Sequence, residues 1–190
     1  MSDPPQLFPR TVWDAAPRRG SPRRRKDPTA VVVHHSAGTR PVDLADAATV
    51  VRAIQRFHQI DRKWTDIAYN FVLTPTGRLW EGRGTDFQNG ANTPRNHNTL
   101  SVCLLGDMTT DGMTSLEKLG LRRLADHYGL PMIPHSDVSS TECPGDQVRD
   151  WLAAGMPPPP TTGGDRLRRL RAAFADLKAA TDAVSVILDE

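Results

Sequence analysis

Two short runs constrain this chain more than anything else in it. Residues 30–33 are almost wholly β-branched and residues 100–105 are apolar at nearly every position. Both are too short for helices and too continuously apolar for half-exposed strands, so both read as buried strands. Between them, Leu44, Ala47, Val50, Val51, Ile54 and Phe57 recur at spacings of three and four, which predicts an amphipathic helix over 43–60 with Asp43 as its N-cap. Residues 68–74 and 78–81 are strand-like, and Pro75, Thr76 and Gly77 supply a turn between them. Thr114 and Glu117 have capping-box spacing ahead of Leu116, Leu119, Leu121 and Leu124, a second helix that Gly129 and Pro131 stop. Strands alternating with helices predict an α/β domain: a mixed central β-sheet flanked by helices.

The chain's 190 residues allow one domain plus tails. A Pro- and Arg-rich lead-in is expected over 1–29, the domain over 30–155, a Pro/Gly linker over 156–164 and a C-terminal amphipathic helix over 165–190. That helix carries an alternating three-and-four pattern from Leu167 to Leu188, which suits self-association or folding back on the domain. Arg18, Arg19, Arg23, Arg24, Arg25 and Lys26 form a local basic cluster, although 24 Lys and Arg nearly balance 22 Asp and Glu overall. The cluster suits a solvated segment or attraction to an anionic polymer. No aromatic residue is interleaved with it as a base-stacking platform, so a nucleic-acid partner is not expected. No run is long and apolar enough for a membrane span, and the opening residues lack the apolar core of a secretory signal. Synthesis in the cytosol is the expectation.

Chemistry is most readable in the histidines and cysteines. Cys103 lies inside an apolar strand and reads as a small core residue, whereas Cys143 sits in a turn-rich stretch where a thiol is reachable. A catalytic zinc site takes three protein ligands and leaves the fourth tetrahedral position to water. His135 and Cys143 would supply two, eight residues apart on a loop that bends back; the third would be His34 or His35. Because strand residues alternate in direction, only one of those two can face a shared site. His58 and His127 read as helix-surface residues, and residues 82–98, rich in Asn, Gly and Pro, as a long functional loop.

Four stretches in order, VVVHHSAG at 31–38, WTDIAYNF at 64–71, GRLWEGRG at 77–84 and HSDVSSTECPG at 135–145, together resemble the zinc N-acetylmuramoyl-L-alanine amidases. That family includes phage endolysins of the T7 lysozyme type and the animal peptidoglycan recognition proteins. The resemblance spans roughly 13–151, and Arg10 and Trp13 match the residues that open the domain in recognition proteins. It implies Zn2+ held by His34, His135 and Cys143. Tyr69 would stand near the metal, and Thr141 occupies a position where the T7-type enzymes carry lysine and the recognition proteins threonine. The implied reaction is hydrolysis of the amide between N-acetylmuramic acid and L-alanine of bacterial peptidoglycan, with Tyr69 and Thr141 as catalytic donors. Arg83, His97 and His35 would contact substrate, and Glu81, at a strand edge, is a candidate for a general base, equally suited to a salt bridge with an arginine. The setting implied is an endolysin made in a host cytoplasm and acting on the cell wall. A binding module without catalysis and a cytosolic amidase recycling wall fragments are the alternatives.

Overall fold

In the computed structural model, which describes residues 5–159, the two apolar runs lie side by side within a six-stranded mixed sheet. Strand β2 (Val31–His35) pairs in parallel with β5 (Leu100–Leu104), placing Val31 opposite Leu100 and His34 opposite Cys103. Beyond β5 comes β3 (Phe71–Leu73), also parallel, which makes an antiparallel hairpin with β4 (Leu79–Glu81). Two-residue β1 (Leu7–Phe8) closes that edge, and β6 (Met132–Pro134) closes the other beside β2. The hairpin turn needs Gly77: its φ is +81°, and a Cβ there would sit 2.8 Å from the Leu116 carbonyl oxygen.

Side-chain alternation sorts the core into two layers. Val31, Val33, Phe71, Leu73 and Val102 pack with Leu121 and Leu124 of α2 (Ser115–Tyr128) and with Val148 and Trp151 of α3 (Asp146–Ala153). On the other face Val72 and Trp80 pack with Ala47 and Val51 of α1 (Leu44–Arg56) and with Trp13. His34, one residue past Val33, therefore falls on the α1 face and His35 on the opposite one.

Both helices start as their sequences predict. The Asp43 carboxylate accepts from the Asp46 amide, and Thr114 and Glu117 form a complete capping box. The Glu117 side chain is fully buried and paired with Arg40. Gly129, at φ +61°, ends α2. The far end of α1 differs from the expected single helix to residue 60. Residues Phe57–Asp61 form a π-helical turn, closed by the Arg62 amide donating to the Phe57 carbonyl. The wider turn leaves Phe57 46% exposed and carries His58 inward to 8%, so His58 is not the surface residue expected, whereas His127 is exposed on α2.

The lead-in is also more than a preface to the domain. Trp13 is fully buried and its indole N–H donates to the Glu81 carbonyl; Arg10 pairs with buried Asp66; Gln55 exchanges two hydrogen bonds with the backbone of Ala16. Residues 10–13 form a short 3-10 turn, and beyond it the Pro-rich segment attaches through backbone hydrogen bonds: the Arg19 amide to the Thr65 carbonyl, Lys26 to His97, Thr29 to Asn98. One compact unit extends to Pro158. Most of the expected linker and the C-terminal helix over 165–190 lie outside the described residues. No helix among the described residues is long and apolar enough to cross a membrane.

Candidate metal centre

His34, the penultimate residue of β2, is 2% exposed, with its Nε2 2.7 Å from Asn92 Oδ1. The Asn92 amide nitrogen donates to Thr99 Oγ1 at 2.8 Å and to the Leu100 carbonyl at 3.2 Å, which fixes the amide with its oxygen toward the histidine. An acceptor on Nε2 requires the proton there, leaving the Nδ1 lone pair free. Burial, reinforced by His135, lowers the His34 pKa to about 3, so the ring is neutral.

His135 opens a 3-10 turn after β6, and Cys143 lies at the far end of the same loop. The Ser136 amide donates to the Cys143 carbonyl at 3.1 Å and folds the eight-residue gap back on itself. The His34 and His135 ring centres are 4.2 Å apart, and Cys143 Sγ is 3.9 Å from His34 Nδ1. One donor atom from each of the three residues lies within 4.8 Å of the others. His135 Nδ1 is buried and has no hydrogen-bond partner. Leaving such an atom unsatisfied costs about 1–3 kcal/mol, which a cation at the centre of the three would remove. Burial pushes the Cys143 thiol up to about 11, so a thiolate there requires a neighbouring cation. Two imidazoles and one thiol form a donor set that would suit zinc.

Around this set, Tyr69 places its ring 5.4 Å from that of His34. Burial, with the two cysteines nearby, holds its hydroxyl well above the usual tyrosine pKa, and the Cys103 thiol lies within hydrogen-bonding reach behind it. Cys103 is thus a fully buried core residue that also backs Tyr69. Thr141 is exposed; its Oγ1 accepts from the Cys143 amide at 3.2 Å, which leaves its own O–H to donate elsewhere. His58, missed by the sequence analysis, stacks on Trp64 at 4.9 Å and meets Tyr69 edge-on at 5.9 Å. Its Nδ1 accepts from the Ala68 amide, so its proton sits on Nε2, and burial lowers its pKa to about 4. A readable signal existed: His58 continues the stripe of Ala47, Val51 and Ile54 at spacings of four, three and four. A cavity of about 430 Å³ beside Tyr69 is lined by Ser36, Val50, Ile54, Phe57 and His58, among others.

The three residues expected to contact substrate are not part of the donor set. Arg83 is 6% exposed, and its guanidinium donates to the carbonyls of Ile67, Asp66 and Gln88; it clamps the loop rather than presenting a free fork. His35 faces the opposite side of the sheet from His34, where its Nδ1 accepts from the Met108 amide. His97 is exposed and is tied to Lys26 through its backbone only. Glu81 stands 3.6 Å from Arg18, the salt-bridge alternative.

Comparison with known proteins agrees with this geometry. The family model for N-acetylmuramoyl-L-alanine amidase matches residues 24–146. The chain is 34% identical over 176 residues to the N-acetylmuramoyl-L-alanine amidase of Sus scrofa, covering 83% of this chain and 29% of that protein. It is 30% identical over 132 residues to peptidoglycan-recognition protein SC2 of Drosophila simulans, covering 63% and 72%. The chain therefore spans less than a third of the mammalian amidases it matches. Among solved structures, wild-type Drosophila PGRP-LB superposes with a TM-score of 0.69 at 26% identity, covering 78% of this chain and 93% of that one. Human PGRP-IBETAC in complex with glycosamyl muramyl pentapeptide gives 0.69 at 25%, covering 78% and 95%. With the family model spanning most of its length and enclosing all three donor residues, the chain belongs to the N-acetylmuramoyl-L-alanine amidase family.

Proposed function

We propose that the protein is a zinc-dependent amidase that cuts bacterial peptidoglycan between N-acetylmuramic acid and L-alanine. The observation that carries this reading is the intact donor set: one donor atom from each of His34, His135 and Cys143 within 4.8 Å of one another, with His135 Nδ1 left without a hydrogen-bond partner. A module that only binds peptidoglycan has no need of such a set. Zinc, when bound, supplies a nucleophile at neutral pH and polarises the carbonyl as a Lewis acid. The chain's own groups do the rest. Asn92 holds the His34 tautomer and ring plane. Tyr69, kept protonated by its burial, donates to the oxygen that gains charge as the amide carbon becomes tetrahedral, and the Thr141 hydroxyl can donate to the same charge. The half-apolar cavity beside Tyr69 receives the part of the substrate flanking the scissile amide. We place the activity in lysis of the cell wall, in the manner of an endolysin.

The experiment is to incubate the pure protein with peptidoglycan, with chelator and then with zinc restored, and to identify released ends by mass spectrometry. New L-alanine amino termini that vanish with chelator and return with zinc are the expected result. Retention on the wall with no new amino terminus would replace this reading with a binding module.

A further inference from the structure

The basic cluster of the lead-in has no part in the chemistry above, and the fold divides its members. Arg24 pairs with Asp86, while Arg25 donates to the carbonyls of Thr85 and Lys26. Arg18 and Arg19 instead meet Arg52 and Arg56, which lie one turn apart on α1. These four arginines line a cavity of about 550 Å³, and Asp14 is the one carboxylate with them. Arg18 is partly balanced by Asp66 at 3.4 Å and Glu81 at 3.6 Å. Arg19 and Arg52 are steadied by carbonyls, of Gln59 and Trp13 respectively, which orient a guanidinium without neutralising it. Arg56 makes no hydrogen bond or ion pair among the described residues and is exposed. A helix C-terminus accounts for one cation at this place; it does not account for four drawn from two distant segments, since like charges gathered on one cavity repel.

We propose that this cleft binds a phosphate-bearing polymer of the bacterial cell wall, a chain of polyols joined by phosphodiesters. Planar guanidinium groups suit phosphate oxygens through paired N–H donors. Apart from its arginines, Asp14 and two glutamines, the cavity is lined by Ala16, Pro17 and Ile60, with no aromatic ring on which a nucleobase could stack. A polyol phosphate needs charge alone and has no base to place. The choice of a wall polymer rests on the peptidoglycan reading above; the anion site itself rests on the arginines. It lies on the flank of α1 turned toward the lead-in, while Val50, Ile54 and Phe57 of the same helix and its π turn line the cavity beside Tyr69. Polymer held there would keep the enzyme on the wall between cleavage events.

The test uses the full chain, stripped of metal by chelator so that binding is read apart from hydrolysis, and a fluorescent synthetic glycerol phosphate oligomer followed by anisotropy across a salt series. Arg56→Gln touches no partner and should melt like the parent. It should weaken binding about 3- to 10-fold and lower the salt slope by about one. Arg123→Gln, an equal loss of charge on α2 across the sheet, should leave binding unchanged. The double variant Arg19→Gln/Arg56→Gln should lose more than Arg56→Gln alone. Equal behaviour of Arg56→Gln and Arg123→Gln would overturn the site. So would duplex DNA or polyglutamate binding as tightly as the oligomer with the same dependence on Arg56. Absence of muropeptide cleavage would sink the amidase reading and leave this result standing.

Discussion

Asn92 decides which nitrogen of His34 is available, and it does so through bonds that involve no ligand. Its amide is locked by Thr99 and Leu100, and Asn89 holds the Asn92 backbone amide, so the loop's asparagines form a scaffold behind the metal centre. Asn92→Ala should therefore lower zinc affinity about 10- to 100-fold, measured by competition with a chromophoric chelator, while the protein still folds; unchanged affinity would show that His34 is oriented by packing alone. Cys143→Ser should lose zinc and activity together, because a hydroxyl is a far poorer zinc ligand than a thiolate. Cys103→Ser should retain zinc and cost about 1–3 kcal/mol of stability by burying a hydroxyl in an apolar strand, which denaturant melts will read. The three donor side chains that the structure brings together were legible because histidine and cysteine are scarce and sit at strand ends and turns. The choice between His34 and His35 follows from which sheet face meets α1, a fact of tertiary structure. Asn92 was illegible: one asparagine among several in a loop looks like turn chemistry. The carbonyl acceptors of Arg83 were illegible for a related reason, since they come from backbone that only the fold brings to it.

At the scale of elements, the caps and periods of α1 and α2 were readable because local chemistry fixes them: Asp43, the Thr114–Glu117 pair and Gly129 need no partner from afar. The π turn after Arg56 was not, because Phe57 and His58 compete for the inward position and the wider turn gives it to the histidine that Trp64 and Tyr69 enclose. Nor was the role of the lead-in, whose contacts with Glu81, Asp66 and Gln55 join residues far apart in sequence. Trp13 tests that role. It is fully buried in the α1-side core, with its indole nitrogen bonded to Glu81. Trp13→Ala should cost about 3–5 kcal/mol, read as a fall in the denaturant midpoint with little change in its slope. A change under about 1 kcal/mol would make the segment a detachable strap.

At the scale of the whole molecule, the buried histidines couple folding to pH. His34 and His58 are buried and neutral, with pKa values lowered to about 3 and about 4, and His35 and His135 are lowered as well, chiefly by burial. In the unfolded chain all four titrate near 6.5, so between that value and their native pKa values the unfolded state holds more protons. Stability then rises with pH: the native contribution is complete above about 6.5 and is lost as pH falls toward 4, by up to about 1.4 kcal/mol per pH unit for each such histidine. Glu117 works in the other direction, its pKa raised mainly by burial, but it is one group against four. Zinc held by His34, His135 and Cys143, as proposed, would sharpen the dependence, because the same protons compete for those residues. The melting temperature of chelator-treated protein should accordingly fall steadily from pH 6.5 to 4.5, and that of zinc-loaded protein should start higher and fall more steeply. His58→Gln, which removes a titrating site while leaving the three ligands in place, should flatten the chelator-treated profile whatever it does to the melting temperature at pH 7. A melting temperature constant across that range would mean that these histidines already carry their protons in the fold, and would contradict the neutral, lone-pair-bearing rings on which the metal centre depends.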